Sequence, residues 1–232
     1  MATVGTEMSM SLDGFIADPS DEVGPLFAWY GNGDVAVPMP DPRWTVRTSE
    51  ASARHLRDGF TRIGALVAGR RWFDVARGWD GNHPMGVPVF VVTHTAPDGW
   101  PRDDAPFTFV TDGIDSAVAQ AKAAAGEKLV GVAGANIAQQ CLNAGLLDEI
   151  VVNLVPVLLG EGIRFFDNLK GTPVELKGPR VIEGTGVTHL HCFSGSLLVE
   201  EGVLRSVFVP GASRVFVPCF AFPGHPRVRG GG

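Results

Sequence analysis

The sequence lacks the features that mark secreted and membrane proteins. Its three cysteines form neither a CxxC pair nor an even-numbered set, so no disulfide framework is indicated; they are Cys141, Cys192 and Cys219. No basic segment followed by an apolar run occurs near the first residue, so no secretory signal is predicted. The longest apolar run, residues 150–159, is too short to cross a bilayer. We therefore expect a cytoplasmic protein.

An excess of positive charge is also lacking. The 232 residues carry a formal net charge of −6, which argues against general binding to nucleic acid or to an anionic membrane. Hydrophobic residues make up 45% of the chain and charged residues 19%, a balance typical of a folded globular protein. A small-molecule ligand is the partner that this composition favours.

Three well-known enzyme motifs are absent. The chain has no GxGxxG followed by a distal acidic residue, which disfavours an ordinary Rossmann domain. It has neither an HxE motif nor PCxxC, which excludes a fused zinc deaminase domain. No GxSxG is present, so a hydrolase of the nucleophile-elbow type is not indicated.

Apolar segments of strand length alternate along the chain with helical segments. Val, Phe and Ile are frequent in the predicted strands, which are 64–68, 87–93, 107–110, 128–133 and 150–157. Their nearly continuous apolarity indicates strands covered on both faces, as in a parallel sheet. Two further segments, 179–184 and 186–192, are separated by a short turn and are predicted to pair antiparallel. The pattern predicts an α/β fold with a mostly parallel central sheet, flanking helices and an antiparallel C-terminal strand pair.

Helix boundaries are marked by capping residues. Ser49 is predicted to cap one helix and Asp115 a second, which Gly126 ends. A third helix is predicted over 136–144, with Gly145 as its terminator.

Three predicted strand ends carry residues suited to bind phosphate. They are Gly69, Arg70 and Arg71, then Thr93 and His94, and then Ala133, Gly134, Ala135 and Asn136. Ligands of parallel sheets bind at the carboxyl ends of the strands, and phosphate groups bind well to glycine-rich helix N-termini and to arginine. The three corners together suggest a dinucleotide, although glycine at such a junction also serves simply to turn the chain.

Four segments resemble the dihydrofolate reductase-like family, in the branch related to the reductase domain of bifunctional riboflavin-biosynthesis proteins. They are MSMSLDGFIA (8–17), LVAGRRWFD (66–74), VFVVTH (89–94) and the run from 131 to 166. The resemblance extends in order over residues 4–192. It implies a dihydrofolate reductase-type fold, NADPH as hydride donor and a homodimer.

The resemblance also implies roles for individual residues. NADPH would be bound by Gly69, Arg70, Arg71, Thr93, His94, Gly134, Ala135, Asn136 and Ile137. The nicotinamide and substrate side would be lined by Ser11, Leu12, Asp13, Gly14, Leu159, Gly160, Glu161 and Gly162. Two positions depart from the family pattern: Ala133 stands where relatives carry the first of two glycines, and Trp72 where they commonly carry threonine.

Several polar residues have two interpretations. Asp13 is our candidate catalytic residue, able to position substrate or relay a proton, but an aspartate there can also bond its own turn. Arg54 and Arg57, three apart on a predicted helix, form either a solvated face or a contact to a substrate phosphate. His189 and His191 share a strand face, but no further ligands accompany them, so we expect no metal.

Two stretches fall outside the α/β alternation. Residues 18–47 are rich in Pro, Gly and Asp and are predicted to form a long ordered loop. We assign residues 1–192 to a reductase-like NADPH-binding domain. Residues 193–232 form a tail unlike the family, either an appended arm or the product of a reading-frame slip, which we expect to be poorly packed and to contribute nothing to the site.

These observations predict an NADPH-dependent reductase acting on a small carbonyl or imine substrate, such as a ribosylaminopyrimidine. The required proton would come from water or from a nearby acid. The alternative is a non-catalytic, nucleotide-binding dimeric scaffold protein. Reduction of dihydrofolate itself is less favoured, because no acidic residue stands clearly at the corresponding helix.

Overall fold

The fold is a large sheet covered by helices, seen in a computed structural model that describes residues 2–194. Its main sheet contains eight strands: β1 (Val4–Ser11), β5 (Ile63–Gly69), β6 (Val89–Val92), β7 (Phe107–Val110), β8 (Leu129–Ala133), β9 (Glu149–Val155), β11 (Leu176–Gly184) and β12 (Val187–Ser194). Two small antiparallel pairs accompany it: β2 (Phe15–Ala17) with β10 (Ile163–Arg164), and β3 (Val35–Pro38) with β4 (Thr45–Thr48).

Four α-helices connect or flank these strands: α1 (Glu50–Arg62), α2 (Arg70–Val75), α3 (Ile114–Ala125) and α4 (Ala135–Asn143). Two 3-10 helices span Gly24–Tyr30 and Arg77–Gly81. Helix α1 begins where it was predicted to begin, because the Ser49 hydroxyl accepts a hydrogen bond from the N–H of Ser52.

The main sheet has the order β11-β12-β9-β1-β8-β5-β6-β7. The six strands from β9 to β7 are mutually parallel, whereas β12 pairs antiparallel with both β9 and β11. This arrangement confirms the predicted fold class, including the antiparallel C-terminal pair. Because the six parallel strands run in one direction, their carboxyl ends share one edge of the sheet.

Both faces of the parallel strands are covered, as their continuous apolarity predicted. On one face, Val67 packs in a core with Val118 of α3 and Ile137 of α4. On the other face, the neighbouring residue Leu66 packs with Phe73 of α2. Adjacent residues of a strand point to opposite faces, so both must be apolar when both faces are buried.

Asp115 does not cap a helix, contrary to the sequence prediction. Helix α3 begins at Ile114, two residues before the start that an Asp115 cap implies, and its N-cap is Gly113 with a φ of +102°. Asp115 lies instead in the first helical turn, where a carboxylate is stabilised by the positive end of the helix dipole.

The prediction of one long loop over 18–47 is also wrong. This stretch contains the first 3-10 helix and the β3–β4 hairpin. Leu26 and Trp29 of the 3-10 helix and Val37 of β3 are buried, so tertiary packing orders a segment whose Pro and Gly content indicates a loop.

The predicted tail is only partly described. Phe193 and Ser194 complete β12, and residues 195–232 lie outside the described residues. Within residues 2–194, no helix is both long and apolar enough to cross a membrane. The same residues contain no group of three or more His, Cys, Asp or Glu that could hold a metal ion.

Candidate active site

Two of the predicted phosphate-binding corners lie side by side at the carboxyl edge of the sheet. A Cβ placed on Gly69, at the end of β5, would lie 3.2 Å from Cγ1 of Ile137 in α4. A Cβ placed on Gly134, after β8, would lie 3.9 Å from Cβ of Trp72 in α2. The N-termini of α2 and α4 are therefore neighbours.

Neither of these helix N-termini is capped by a side chain. Gly69 is the N-cap of α2 and Gly134 that of α4, and glycine has no side-chain acceptor for the first N–H groups. Gly134 has φ +89° and ψ 144°, a conformation that is rare for any residue with a side chain. The corner therefore offers backbone donors and close approach, which are the properties that bind phosphate.

Arg70 and Arg71 both have partners within the chain. Nε of Arg70 donates to Oδ1 of Asp74 at 2.8 Å, and its Nη1 donates to the carbonyl of Thr95 at 2.9 Å. Arg71 forms a bidentate pair with Asp21, with two N–O distances of 2.8 Å. The Arg71 guanidinium remains largely exposed, and exposed pairs of this kind contribute little stability, so it can exchange its carboxylate for a ligand phosphate.

The corner after β6 is linked to α2 through Thr95. The Thr93 hydroxyl donates to the carbonyl of Thr95 at 2.8 Å, and Arg70 donates to the same oxygen. His94, between these threonines, is exposed. The three predicted corners thus line one edge, as expected for the ends of β5, β6 and β8.

Asp13 joins the turn after β1 to the loop after β9. Its carboxylate accepts hydrogen bonds from the Ser11 hydroxyl at 2.6 Å and from the N–H groups of Leu159 and Gly160 at 3.1 and 2.7 Å. The Ser11 hydroxyl, together with these two N–H groups, lowers the pKa of Asp13 to about 2. An aspartate that stays ionised at neutral pH does not supply a proton, so the role that suits Asp13 is positioning.

The remaining residues predicted to line the substrate side surround this contact. Ser11 is buried and also accepts the N–H of Phe15, whereas Leu12 is 61% exposed. Glu161 and Gly160 are exposed. Gly162 has φ +140°, and a Cβ on it would collide with the carbonyl of Ala17, so only glycine is accommodated there.

We expect the Asp13→Ala substitution to loosen the loop that follows β9. The N–H groups of Leu159 and Gly160 would lose their acceptor, so their hydrogen exchange should accelerate by about tenfold or more. The matched control is Asp18→Ala, because Asp18 accepts two N–H groups within its own turn, from Ser20 and Glu22. Unchanged exchange at residues 159 and 160 in the Asp13 variant would contradict the positioning role.

A groove under α1 was not foreseen from the sequence. It has a volume of about 670 Å³ and is lined by one side of α1 and by residues of six strands, β1, β5, β8, β9, β11 and β12. Its lining includes Val132 and Ala133, so the groove extends to the residue that precedes the Gly134 corner. The sequence feature that could have revealed this groove is the presence of polar residues within the strands, above all Glu7, Asn153 and His189.

A chain of hydrogen bonds crosses the sheet beneath α1. The Ser52 hydroxyl lies 2.9 Å from Nε2 of His189, whose Nδ1 lies 2.6 Å from Oδ1 of Asn153. Nδ2 of Asn153 and Nε2 of His55 both lie 2.9 Å from Oε1 of Glu7. Both ring nitrogens of His189 therefore have partners within this series of hydrogen bonds.

Burial and hydrogen bonding determine which side chains in this hydrogen-bonded series are charged. Burial lowers the pKa of His189 to about 4, so its ring is neutral at pH 7. Burial raises the pKa of Glu7, but the hydrogen bond from His55 and the other favourable contacts outweigh it and leave the pKa below its usual value. Glu7 is therefore ionised, with about a third of its side chain exposed to the groove.

A second cluster lies at the other end of the groove. Arg62 donates to both carboxylate oxygens of Glu149 at 2.9 Å, and Nε2 of His191 lies 3.2 Å from Oε2 of the same residue. A Cβ on Gly5 would lie 2.5 Å from Cγ of Glu149, so glycine makes room for this buried carboxylate. Burial raises the pKa of Glu149, but the bonds from His191 and Arg62 bring it below its usual value.

The parallel sheet, the uncapped corners at its carboxyl edge and the adjoining groove place the protein in the dihydrofolate reductase-like α/β class. The profile of the RibD C-terminal domain family matches residues 2–184, which is most of the chain. The protein belongs to this family. Family membership and fold together support an oxidoreductase.

The chain is also similar to known proteins. The chain is 23% identical over 174 residues to the uncharacterized protein YwjB of Bacillus subtilis, covering 75% of this chain and 88% of that protein. A crystal structure of a Shewanella sp. PV-4 protein assigned to riboflavin biosynthesis has a TM-score of 0.60 and 25% identity, with 84% of this chain and 99% of that chain covered.

Two enzymes share the fold at lower identity. The Thermotoga maritima diaminohydroxyphosphoribosylaminopyrimidine deaminase/5-amino-6-(5-phosphoribosylamino)uracil reductase has a TM-score of 0.56 and 10% identity, over 83% of this chain and 56% of that one. Dihydrofolate reductase from Enterococcus faecalis, complexed with NADP(H), has a TM-score of 0.50 and 13% identity. The match covers 83% of this chain and 96% of that one. These likenesses confirm the dihydrofolate reductase-like fold.

Proposed function

We propose that the protein is an NADPH-dependent reductase that transfers a hydride to a small carbonyl or imine substrate. The observation that carries the proposal is the pair of adjacent, uncapped helix N-termini at Gly69 and Gly134, on the carboxyl edge of a reductase-family sheet. Family membership, together with the reductase activity of the Thermotoga maritima relative, supports a ribosylaminopyrimidine of riboflavin biosynthesis as the substrate.

The residues at the carboxyl edge suit NADPH. The first turn of α4, at Ala135, Asn136 and Ile137, presents backbone N–H groups for the pyrophosphate, and Gly134 keeps that surface free of side chains. Arg70, Arg71, Thr93 and His94 would surround the remaining phosphate. NADPH, when bound, supplies the hydride.

The protein itself would contribute by positioning the cofactor and the substrate relative to each other. Asp13 ties the turn after β1 to the N–H groups of Leu159 and Gly160, which would keep the predicted substrate side of the site in one geometry. Holding two reactants in a reactive geometry lowers the barrier by removing the entropy cost of bringing them together. An ionised Asp13 does not donate the proton, so the proton comes from water or from another acid.

NADPH titration followed by turnover assays tests this function. We expect binding in the micromolar range by tryptophan fluorescence or calorimetry. We also expect oxidation of NADPH when 5-amino-6-(5-phosphoribosylamino)uracil or another carbonyl or imine substrate is added. Absence of NADPH binding at high micromolar concentration would overturn the proposal. Binding without turnover across a panel of aminopyrimidine, pterin and simple carbonyl compounds would favour the non-catalytic scaffold instead.

We expect Arg70→Ala combined with Arg71→Ala to weaken NADPH binding about 30-fold or more and NADH binding much less. The reason is that the additional phosphate of NADPH requires cationic partners. Arg102→Ala is the matched control, because Arg102 is also partly exposed and paired with an aspartate, Asp104, before β7. Equal losses of affinity for NADPH and NADH would mean that these arginines bind the pyrophosphate or stabilise the fold.

We further propose that the protein is a homodimer, as the family resemblance implies, and that it is cytoplasmic, as its cysteine content suggests. Light scattering coupled to size-exclusion chromatography, at several protein concentrations and with and without NADPH, tests the oligomeric state. A monomer under all conditions would refute the dimer without affecting the reductase proposal.

A further inference from the structure

Residues 18–22 form a short surface segment whose hydrogen bonds are mostly internal. The carboxylate of Asp18 accepts the N–H groups of Ser20 and Glu22 at 2.7 and 3.0 Å. The N–H of Asp18 donates to the carbonyl of Glu22 at 2.9 Å, and the N–H of Asp21 donates to the carbonyl of Asp18 at 3.1 Å. These bonds shape the turn but do not join it to the rest of the molecule.

One side-chain pair connects this segment to the rest of the protein. Within residues 2–194, its only hydrogen bonds to another part of the chain are those that Arg71 donates to the carboxylate of Asp21, at 2.8, 3.0 and 2.8 Å. The side chain of Arg71 is 68% exposed and that of Asp21 22% exposed. The position of the segment on α2 therefore depends on a single ion pair.

The two arginines at the start of α2 are held differently. Arg70 is bound by Asp74 of the same helix and by the carbonyl of Thr95, both of which belong to the framework of the corner. Arg71 is bound by the surface segment, 50 residues earlier in the chain. Because an exposed ion pair contributes little stability, the pair of Arg71 is the contact that a ligand phosphate can replace.

The segment lies beside the proposed pyrophosphate site. In the sheet, β8 lies between β1 and β5, and Gly134 follows its last residue. The segment follows β2, on the chain that leaves β1, whereas Arg71 belongs to the helix that follows β5. Trp72, next to Arg71, is the residue that a Cβ on Gly134 would contact. The ion pair thus ties chain from the β1 side of the corner to the helix on its β5 side.

The charge of the segment has the same sign as that of a phosphate. Three of its five residues are acidic: Asp18, Asp21 and Glu22. A guanidinium group binds carboxylate and phosphate with the same two-pronged geometry, so both ligands compete for the same N–H groups of Arg71. A phosphate on these N–H groups would also be repelled by the Asp21 carboxylate. The closed segment and a phosphate on Arg71 therefore exclude each other.

We propose that residues 18–22 are a strap, closed in the cofactor-free protein by Asp21, which occupies Arg71 in place of a cofactor phosphate and is displaced when NADPH binds. Once Arg71 has exchanged Asp21 for phosphate, the strap has no remaining tether and moves away from α2. This inference rests on the proposed function and extends it. Asp21 lowers the affinity for NADPH, because each binding event must first break the ion pair.

Asp21→Asn tests the competition. Asparagine tolerates the left-handed backbone of this position, φ +67°, but has no charge with which to hold Arg71. NADPH affinity, measured by fluorescence titration, should increase about two- to fivefold, as expected when a competing exposed ion pair is removed. Asp104→Asn is the matched control, because Asp104 forms an exposed pair with Arg102, and it should leave the affinity unchanged. Unchanged or weaker binding in Asp21→Asn, or an equal gain in the control, overturns the competition.

Hydrogen exchange of the strap tests its opening without relying on a variant. Exchange at residues 18–22 should accelerate about threefold or more when the wild-type protein is saturated with NADPH or with inorganic pyrophosphate. Asp21→Asn, once thermal unfolding has verified that it is folded, should show the faster exchange without any ligand. NADPH binding with unaltered exchange overturns the strap and leaves the reductase proposal intact. Faster exchange with pyrophosphate in a protein that does not bind NADPH supports the strap and overturns the reductase proposal.

Discussion

Replacing Gly134 by aspartate is expected to reduce NADPH affinity by at least about a hundredfold. The new carboxylate would lie at the N-terminus of α4, where the pyrophosphate is proposed to bind, and two anions in that place repel each other. The backbone adds a further cost, because φ +89° and ψ 144° strain any residue with a side chain by about 1–3 kcal/mol. Fluorescence titration with NADPH measures the loss.

Gly145→Asp is the matched control for this prediction. Gly145 lies just beyond the other end of α4, also with a positive φ of +68°, and a Cβ there would have no atom within 4 Å. The control therefore introduces the same side chain, also at a positive φ, at the opposite end of the same helix. We expect reduced thermal stability with unchanged NADPH affinity. Comparable affinity losses in both variants would show that α4 stability, rather than the Gly134 corner, determines binding.

Seven of the eight strands of the main sheet could be predicted, because their signal is local. Strand β1, VGTEMSMS, has no continuous apolar run and was not among the predicted strands. The strand predicted at 107–110 has those bounds in the structure, and the others agree within one to three residues at either end. Continuous apolar runs define buried parallel strands without information from distant residues. The region between 18 and 47 could not be predicted in this way, because its helix and hairpin are ordered by burying Leu26, Trp29 and Val37.

The position of the proposed cofactor corners at one edge of the sheet could be predicted for a similar reason. Parallel strands bring their carboxyl ends to one edge, so the loops after β5, β6 and β8 must be neighbours whatever their side chains are. The partners of the arginines could not be found, since Asp21 lies 50 residues from Arg71 in the chain. No spacing rule connects residues so far apart.

The groove under α1 is the clearest limit of sequence reasoning in this protein. Glu7 and Asn153 lie 146 residues apart, and Ser52 and His189 137 residues apart. Each of these residues, taken alone, is a single polar position in or beside an apolar segment. Their common face becomes visible only when β1, β9 and β12 are placed side by side under α1.

Acidification is expected to destabilise the protein through two buried histidines. Burial lowers the pKa of both His83 and His189 to about 4, from an unfolded value of 6.5. The unfolded chain therefore binds protons more readily than the folded protein, so the stabilisation is complete above pH 6.5 and is lost as the pH falls through 4. Each residue should account for about 2–3 kcal/mol of the free energy of unfolding lost between pH 7 and pH 4.

His83→Asn isolates one of these contributions. Nδ1 of His83 accepts the N–H of Met85 at 3.1 Å, so protonation of that nitrogen removes the acceptor. Asparagine can present its carbonyl oxygen in a similar position and does not titrate, so urea denaturation at pH 7 and pH 4 should show a smaller loss in the variant, by about 2–3 kcal/mol. His94→Asn, which changes an exposed histidine, should retain the full loss. An identical loss in wild type and His83→Asn would mean that the carboxylates, and not His83, govern acid unfolding.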